Sequence, residues 1–334
     1  MDLLSCIDQI NALNEEGVKL ACGPSPDYDA ALAKHHDAVI LTKQQELNPD
    51  YRAFSVANEG YARRQKGEDR SAVLGLLENI LGEMPSLMSG WKSNGCRESY
   101  AGKARLLEEI ALVRRYTPDT DIVADLTQAL SELREAISLY QQAFDNAAGA
   151  EILSPEKVQD RLWRTYGITS AVGTELFRNE PGRKREHLET ANSYAQQELD
   201  ARIAAGEKEG FPLMNAYHTL GVVQTELTGE DKIKYDAAKE NLEMAMFLAE
   251  QAHLGLNIST LTFRKAWLEY RRDPTDISAI TPLVQQVLDF QKVDTHRWNG
   301  GTMKALRQQM EELATHLGGQ CQQEISTLYS PTPL

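Results

Sequence analysis

Apolar residues recur at spacings of three and four along nearly the whole chain, with charged and amide residues between them. That period places one apolar stripe on each helix and leaves the other face polar. Ala, Leu, Glu, Gln, Lys and Arg fill the stretches between breakers, and these residues favour helix. Sustained period-two alternation is missing, and Val and Ile occur singly inside helical patterns, so no strand is predicted. Breakers divide the chain at fairly regular intervals, among them Asn48-Pro49, Lys66-Gly67, Met84-Pro85, Thr117-Pro118, Ser154-Pro155, Thr228-Gly229 and Asp273-Pro274. The helices expected between them run over 2–21, 27–47, 51–66, 69–83, 97–116, 119–147, 155–178, 183–205, 213–227, 231–253, 257–272, 276–292 and 301–317. A short one closes the chain at 319–328, the stretch 86–96 reads as a loop, and 329–334 as a loose tail. Paired antiparallel, these elements make roughly six or seven hairpins, each too small to bury its own apolar face.

A second pattern lies on the first. Tyr217, Leu220 and Gly221 stand at hairpin spacing, followed by Ala238, Leu242 and Ala245 in the next helix. Trp163, Tyr166 and Gly167 repeat the first half, while Ala136, Tyr140 and Ala143, and Ala31, His35 and Ala38, repeat the second. Around residues 53–86 the matching positions are Gly60, Gly67, Ala72 and Leu76, with Asn79 at the second small position and Pro85 near the end. Small residues let two helices approach closely and large ones fill the gap between them. This spacing resembles the tetratricopeptide repeat, a helix–turn–helix unit of about 34 residues. The resemblance implies an all-α chain whose hairpins stack as a right-handed solenoid over 1–256, a helical capping segment over 257–328 and the tail. It also implies a concave wall made by the first helix of each hairpin, where a ligand peptide lies. Carried onto this sequence, the wall positions are Asn58, Tyr61, Arg64 and Gln65, then Arg161, Arg164 and Thr165, then Asn215 and His218. The two-lysine, two-asparagine carboxylate clamp of the family is not reproduced.

Composition narrows the partner. Across 334 residues the formal net charge is −14, which argues against nucleic acid and against an anionic membrane surface. No apolar run is long enough to span a bilayer, and the N-terminus lacks the basic leader of a secretory signal. The four cysteines are scattered without a CxxC pair, so a reduced, cytoplasmic setting is expected. No metal site is expected, because the seven histidines show no HExxH and Glu186-His187-Leu188-Glu189 reads as a solvated helix face. Ser99–Ala104 falls short of a phosphate loop, lacking the early Gly, the terminal Ser or Thr and a preceding strand. No cofactor motif and no catalytic signature stands out.

Arg63-Arg64, Arg114-Arg115 and Arg271-Arg272 fall at expected helix C-termini, where cations complement the helix dipole. Trp163 and Trp267 read as packing residues, whereas Trp91 and Trp298 stand beside glycine-containing loops as possible partner anchors. Asn can bond an extended backbone through both donor and acceptor, and Arg can grip a carboxylate through two parallel bonds. The expectation is a non-catalytic protein-interaction module or scaffold, binding a segment with acidic side chains or a free C-terminal carboxylate. The alternatives are a peptide- or small-molecule-sensing regulator on the same array, an all-α enzyme, and end-to-end self-assembly.

Overall fold

The computed structural model describes residues 3–22, 25–44, 47–93, 100–117, 121–145, 153–180, 182, 185–228 and 232–273. Among these the chain is all-helical and contains no strand. The helices are α1 (Leu3–Cys22), α2 (Tyr28–Gln44), α3 (Pro49–Lys66), α4 (Arg70–Ser93), α5 (Ala101–Tyr116) and α6 (Ile122–Asp145). They continue as α7 (Pro155–Asn179), α8 (Arg185–Ala204), α9 (Phe211–Leu227), α10 (Lys232–Gln251) and α11 (Gly255–Arg272). The helices expected over 276–292, 301–317 and 319–328, with Trp298 and the tail, lie outside the described residues.

Local chemistry sets the starts. Asn48 Oδ1 accepts the amide of Asp50 at 3.0 Å with Pro49 in the first turn of α3. Asp27, Asp69 and Asp121 accept the amides of Ala30, Ala72 and Ala124 in the same way for α2, α4 and α6. At the far end of α3, Gly67 takes the left-handed conformation that closes a helix.

The chain divides into two compact units, residues 1–165 and 166–334, with the division falling inside α7. In the first unit α1 packs on α2, α3 on α4 and α5 on α6, and α3 also meets α1 and α5. One core of this unit joins Val39 of α2, Ala53, Val56 and Ala57 of α3, Val73, Leu77, Ile80 and Met84 of α4, and Leu106, Ile110 and Val113 of α5. In the second unit α9 packs on α8, α10 and α11. There Leu188, Ala191, Ala195 and Leu199 of α8 meet Met214, Leu220 and Val223 of α9 and Ala238, Leu242 and Ala245 of α10.

The small–large–small positions are buried as read in three helices: Ala31, His35 and Ala38; Ala136, Tyr140 and Ala143; and Ala238, Leu242 and Ala245. The glycine positions explain the spacing. A Cβ on Gly60 would sit 2.8 Å from Leu77 Cδ2, and one on Gly221 would sit 2.8 Å from Leu242 Cδ2. Each glycine is the socket for the large residue of its partner helix.

Two expectations fail. In α4 Val73, Leu77 and Ile80 are buried, together with Leu74 and Met84; Ala72 and Asn79 are exposed and Leu76 is half-buried. The register therefore slips by one residue, because the socket for Leu77 is Gly60 on the neighbouring helix rather than an alanine of α4 itself. Met84-Pro85 also does not end the helix, and the stretch 86–96 is not a loop throughout, since α4 runs through Pro85 to Ser93. Pro85 is exposed, while Met84 and Met88 on the other face pack into the core. Their burial offsets the amide that proline cannot supply.

Candidate functional site

Adjacent acids on a helix point in different directions, and Glu108-Glu109 in the middle of α5 do so in the interior of the first unit. Both are fully buried, as is the neighbouring Arg105 at 3% exposure. Glu109 turns towards α3, where Arg64 Nε donates to its Oε1 at 2.8 Å, while Arg105 Nη1 and Nη2 each donate to Oε2 at 3.2 Å. Glu108 turns towards α6 and the start of α7. The Tyr140 hydroxyl donates to its Oε2 at 3.1 Å. Its other oxygen, Oε1, lies 3.7 Å from Arg161 Nη1, 3.7 Å from Arg164 Nε and 3.9 Å from Arg105 Nη1. Those distances are those of ion pairs, not of hydrogen bonds. Arg161 Nη1 and Arg105 Nε are buried with no hydrogen-bond acceptor in reach, and Glu108 Oε1 has no donor.

Electrostatics follow from this crowding. Burial would push the Glu108 carboxyl up, yet Arg105 first, then Arg164 and Arg161, outweigh it and hold Glu108 below the usual carboxylate range. Arg105 is pushed up against its own burial by Glu108 and Glu109. Arg161 moves down, through burial and then through the positive charge of Arg105. The Tyr140 hydroxyl is pushed up, by burial and then by the Glu108 charge. Four guanidinium groups thus surround two carboxylates.

The other wall positions of this unit lie around the same cluster. Arg64 stacks over the rings of Tyr61 and Tyr116, with Cζ 5.5 and 5.1 Å from their centroids. Tyr61 is half-buried, and its hydroxyl lies 3.3 Å from Cys22 Sγ. Burial and then that contact push its ionisation up. Asn58 Nδ2 donates to Asn14 Oδ1 at 3.4 Å, and Gln65 is half-buried. The same Asn14 oxygen lies 3.2 Å from His35 Nδ1, while Asn14 Nδ2 donates to Ser55. Thr165 is buried, and its hydroxyl donates back to the Arg161 carbonyl at 2.7 Å, so it serves its own helix. The wall residues expected to face a ligand therefore split. Arg64 and Thr165 are interior, Asn58 and Tyr61 are half-buried, and Arg164 is 47% exposed, with Arg161 beside it at 27%.

Asn215 and His218 lie in the second unit, both half-buried on α9. His218 is pushed down to about 3 by burial and then by Arg264, and its Nε2 is buried without a hydrogen-bond partner. Around it stands a second charged cluster. Arg178 of α7 donates through Nε to Glu226 of α9 at 3.0 Å. The buried Arg264 of α11 is pushed down to about 9, by its burial and then by Arg178. Trp267, one turn further along α11, is 1% exposed, and Trp163 is half-buried in the first unit. The side chain of Trp91 lies outside the described residues.

Sequence reading missed Arg105, Glu108 and Glu109. Their signal was present in Leu106-Leu107-Glu108-Glu109-Ile110-Ala111-Leu112-Val113, two acids inside an otherwise apolar run. Such a run buries its acids, and buried acids need cations. Among the described residues no group of three or more His, Cys, Asp or Glu side chains could hold a metal ion. No helix among them is long and apolar enough to cross a membrane. No protein-family model matches this chain, and no curated protein matches it.

Proposed function

We propose that this chain is a non-catalytic protein-interaction module of the tetratricopeptide-like kind. Its hairpins stack as a right-handed solenoid, and it holds a peptide segment of another protein along the odd-numbered helices of its first unit. The observation that carries the reading is the pair Arg161 and Arg164. They stand part-exposed over a buried carboxylate they do not hydrogen-bond, with cations outnumbering acids in the cluster. Asn58, Tyr61 and Gln65 extend a half-buried polar face along α3 for the backbone of the segment. The partner carries acidic groups or a free C-terminal carboxylate and is neither nucleic acid nor a membrane, in keeping with the net charge of −14. A reducing cytoplasmic setting suits the free thiols of Cys6 and Cys22.

Affinity purification of the tagged chain with mass spectrometry identifies the partner, and direct titration with that purified partner then tests the face. Charge reversal at Arg164 together with Asn58→Ala and Gln65→Ala is expected to abolish binding while the far-ultraviolet helix signal is unchanged. Unchanged affinity would remove this face as the binding site. The stacked arrangement has its own check in solution scattering. A compact chain of this length has a radius of gyration of about 20 Å, and an extended array exceeds it.

A further inference from the structure

Three guanidinium groups converge on a single point in the first unit. Arg161 and Arg164 reach from α7 and Arg105 from α5, and the point on which they converge is Glu108 Oε1, at 3.7, 3.7 and 3.9 Å. That point is filled by the protein's own carboxylate, so another anion meets only the outward sides of Arg161 and Arg164, 27% and 47% exposed. The charge count gives the valence. Among the described residues Arg64, Arg105, Arg161 and Arg164 face only Glu108 and Glu109, which leaves two positive charges unmatched there. Donors are in excess as well, since each guanidinium carries five N–H groups, and Arg161 Nη1 is buried with no acceptor. A single carboxylate supplies one negative charge and two oxygens in a plane. A phosphoryl monoester supplies close to two charges and three acceptor oxygens in a tripod, which the forks of Arg161 and Arg164 can share.

We infer that Arg161 and Arg164, with the buried Arg105 adding positive charge behind them, form a receptor for a phosphoryl group carried on a serine or threonine of the bound segment. This inference rests on the peptide-binding reading above and names the group that reading leaves open. The group enters from the side where Arg164 is 47% exposed. Glu108 lowers the affinity for every anion. Its carboxylate is anchored from behind by the Tyr140 hydroxyl at 3.1 Å, so it stays in place and repels any incoming anion. Attraction by the cations and repulsion by Glu108 both scale with the charge of the incoming group, so a doubly charged group gains about twice the net attraction of a singly charged one.

Three degenerate peptide libraries test this on the intact chain. They share the same random flanks and carry phosphoserine, serine or glutamate at the fixed central position. Fluorescence anisotropy at about 0.15 M salt keeps surface charge screened. The phosphoserine library is expected to bind about tenfold or more tightly than the glutamate library, and the serine library more weakly still. Arg164→Lys keeps the charge and loses the fork, so it should lower phosphoserine binding without changing the melting temperature. Glu108→Gln should tighten binding of both the glutamate and the phosphoserine libraries, and that of phosphoserine by the larger factor, because the repulsion removed scales with the charge of the ligand.

Glutamate binding as tight as phosphoserine would overturn the phosphoryl receptor and leave the acidic-peptide reading standing. Phosphoserine binding indifferent to Arg164→Lys and to Arg161→Ala would overturn it too. Orthophosphate binding as tightly as the phosphoserine library would mean a site for the free ion and overturn the peptide-borne source. Failure of all three libraries would overturn this inference and count against the parent reading, which the titration with the purified partner decides separately.

Discussion

Gly102 and Gly82 are both helical glycines, and their surroundings give opposite signs to the same substitution. A Cβ on Gly102 would lie 2.7 Å from Asp50 Cα, backbone that no rotamer change can move aside. Gly102→Ala must push α3 and α5 apart and is expected to cost about 1–3 kcal/mol, read as a lower urea midpoint. Gly82 is exposed with nothing within 4 Å, so Gly82→Ala is expected to gain about 0.5–1 kcal/mol by the same measurement. Glu109 poses a different residue-scale question. It lies between Arg64 and Arg105, both under 10% exposed, and Glu109→Gln leaves two buried guanidiniums facing a neutral amide. The expected loss is about 3 kcal/mol, and combining it with Arg64→Met should cost less than the two single changes added together. Arg64 also shows what the sequence could and could not reveal. Its place at the end of a helix was readable, and a helix C-terminus accounts for a surface cation there. Its partner is 45 residues away on another helix, and spacing along the chain carries no trace of such a pair. Arg161 and Arg164 were readable as neighbours on one helix, whereas their pairing with Glu108 on another helix was not.

At the scale of elements, helix positions were largely legible because they depend on local period and breakers. The same breakers were read too literally in α4. Proline inside a helix removes one amide and crowds the preceding turn, at a cost of about 3 kcal/mol in an open helix. Here the side chain of Pro85 is exposed and contributes no burial, while Met84 and Met88 bind the helix to its core. Pro85→Ala is accordingly expected to raise the thermal midpoint, with a gain of about 1–3 kcal/mol. An unchanged or lower midpoint would mean that the helix is already adapted to the missing amide. The slipped register in the same helix has a related cause. Pattern matching sought its small residues within one helix, at Ala72 and Asn79, whereas the close approach to Leu77 is made by Gly60 across the hairpin. In α2, α6 and α10 alanines flank the large residue on its own helix, and there the reading holds. The glycine sockets Gly60 and Gly221 both stood out in the sequence, but the register of the large residue opposite was legible only where alanines flank it, as at Leu242.

For the whole molecule, acidification sets two effects against each other. The net charge of −14 falls towards zero as pH drops, which relieves self-repulsion and favours the folded chain. At about 0.15 M salt the screening length is only ~8 Å, so charges spread over the surface contribute little of this relief. The buried histidines act in the opposite sense and are not screened. His35 lies with its imidazole 2.5 Å from where a Cβ on Gly17 would stand, and Asn14 meets its Nδ1. Burial, and then the positive charge of Arg105, push it down to about 4. In the second unit His218 is pushed down to about 3 by burial and then by Arg264. A folded-state value below the unfolded one means that the unfolded chain binds the proton first. Stability is complete above the ordinary histidine value of about 6.5 and is lost as pH falls from there towards the lowered folded value. Between about pH 7 and pH 5 His35 alone accounts for about 2 kcal/mol of loss, and His218 acts in the same window and direction. The urea midpoint is therefore expected to fall across this range even as the net charge approaches zero. His35→Gln with His218→Gln, which keep a polar group but remove the titration, should flatten the profile by more than half. A wild-type midpoint that rises on acidification would mean that relief of the overall negative charge outweighs two protonations beside buried arginines.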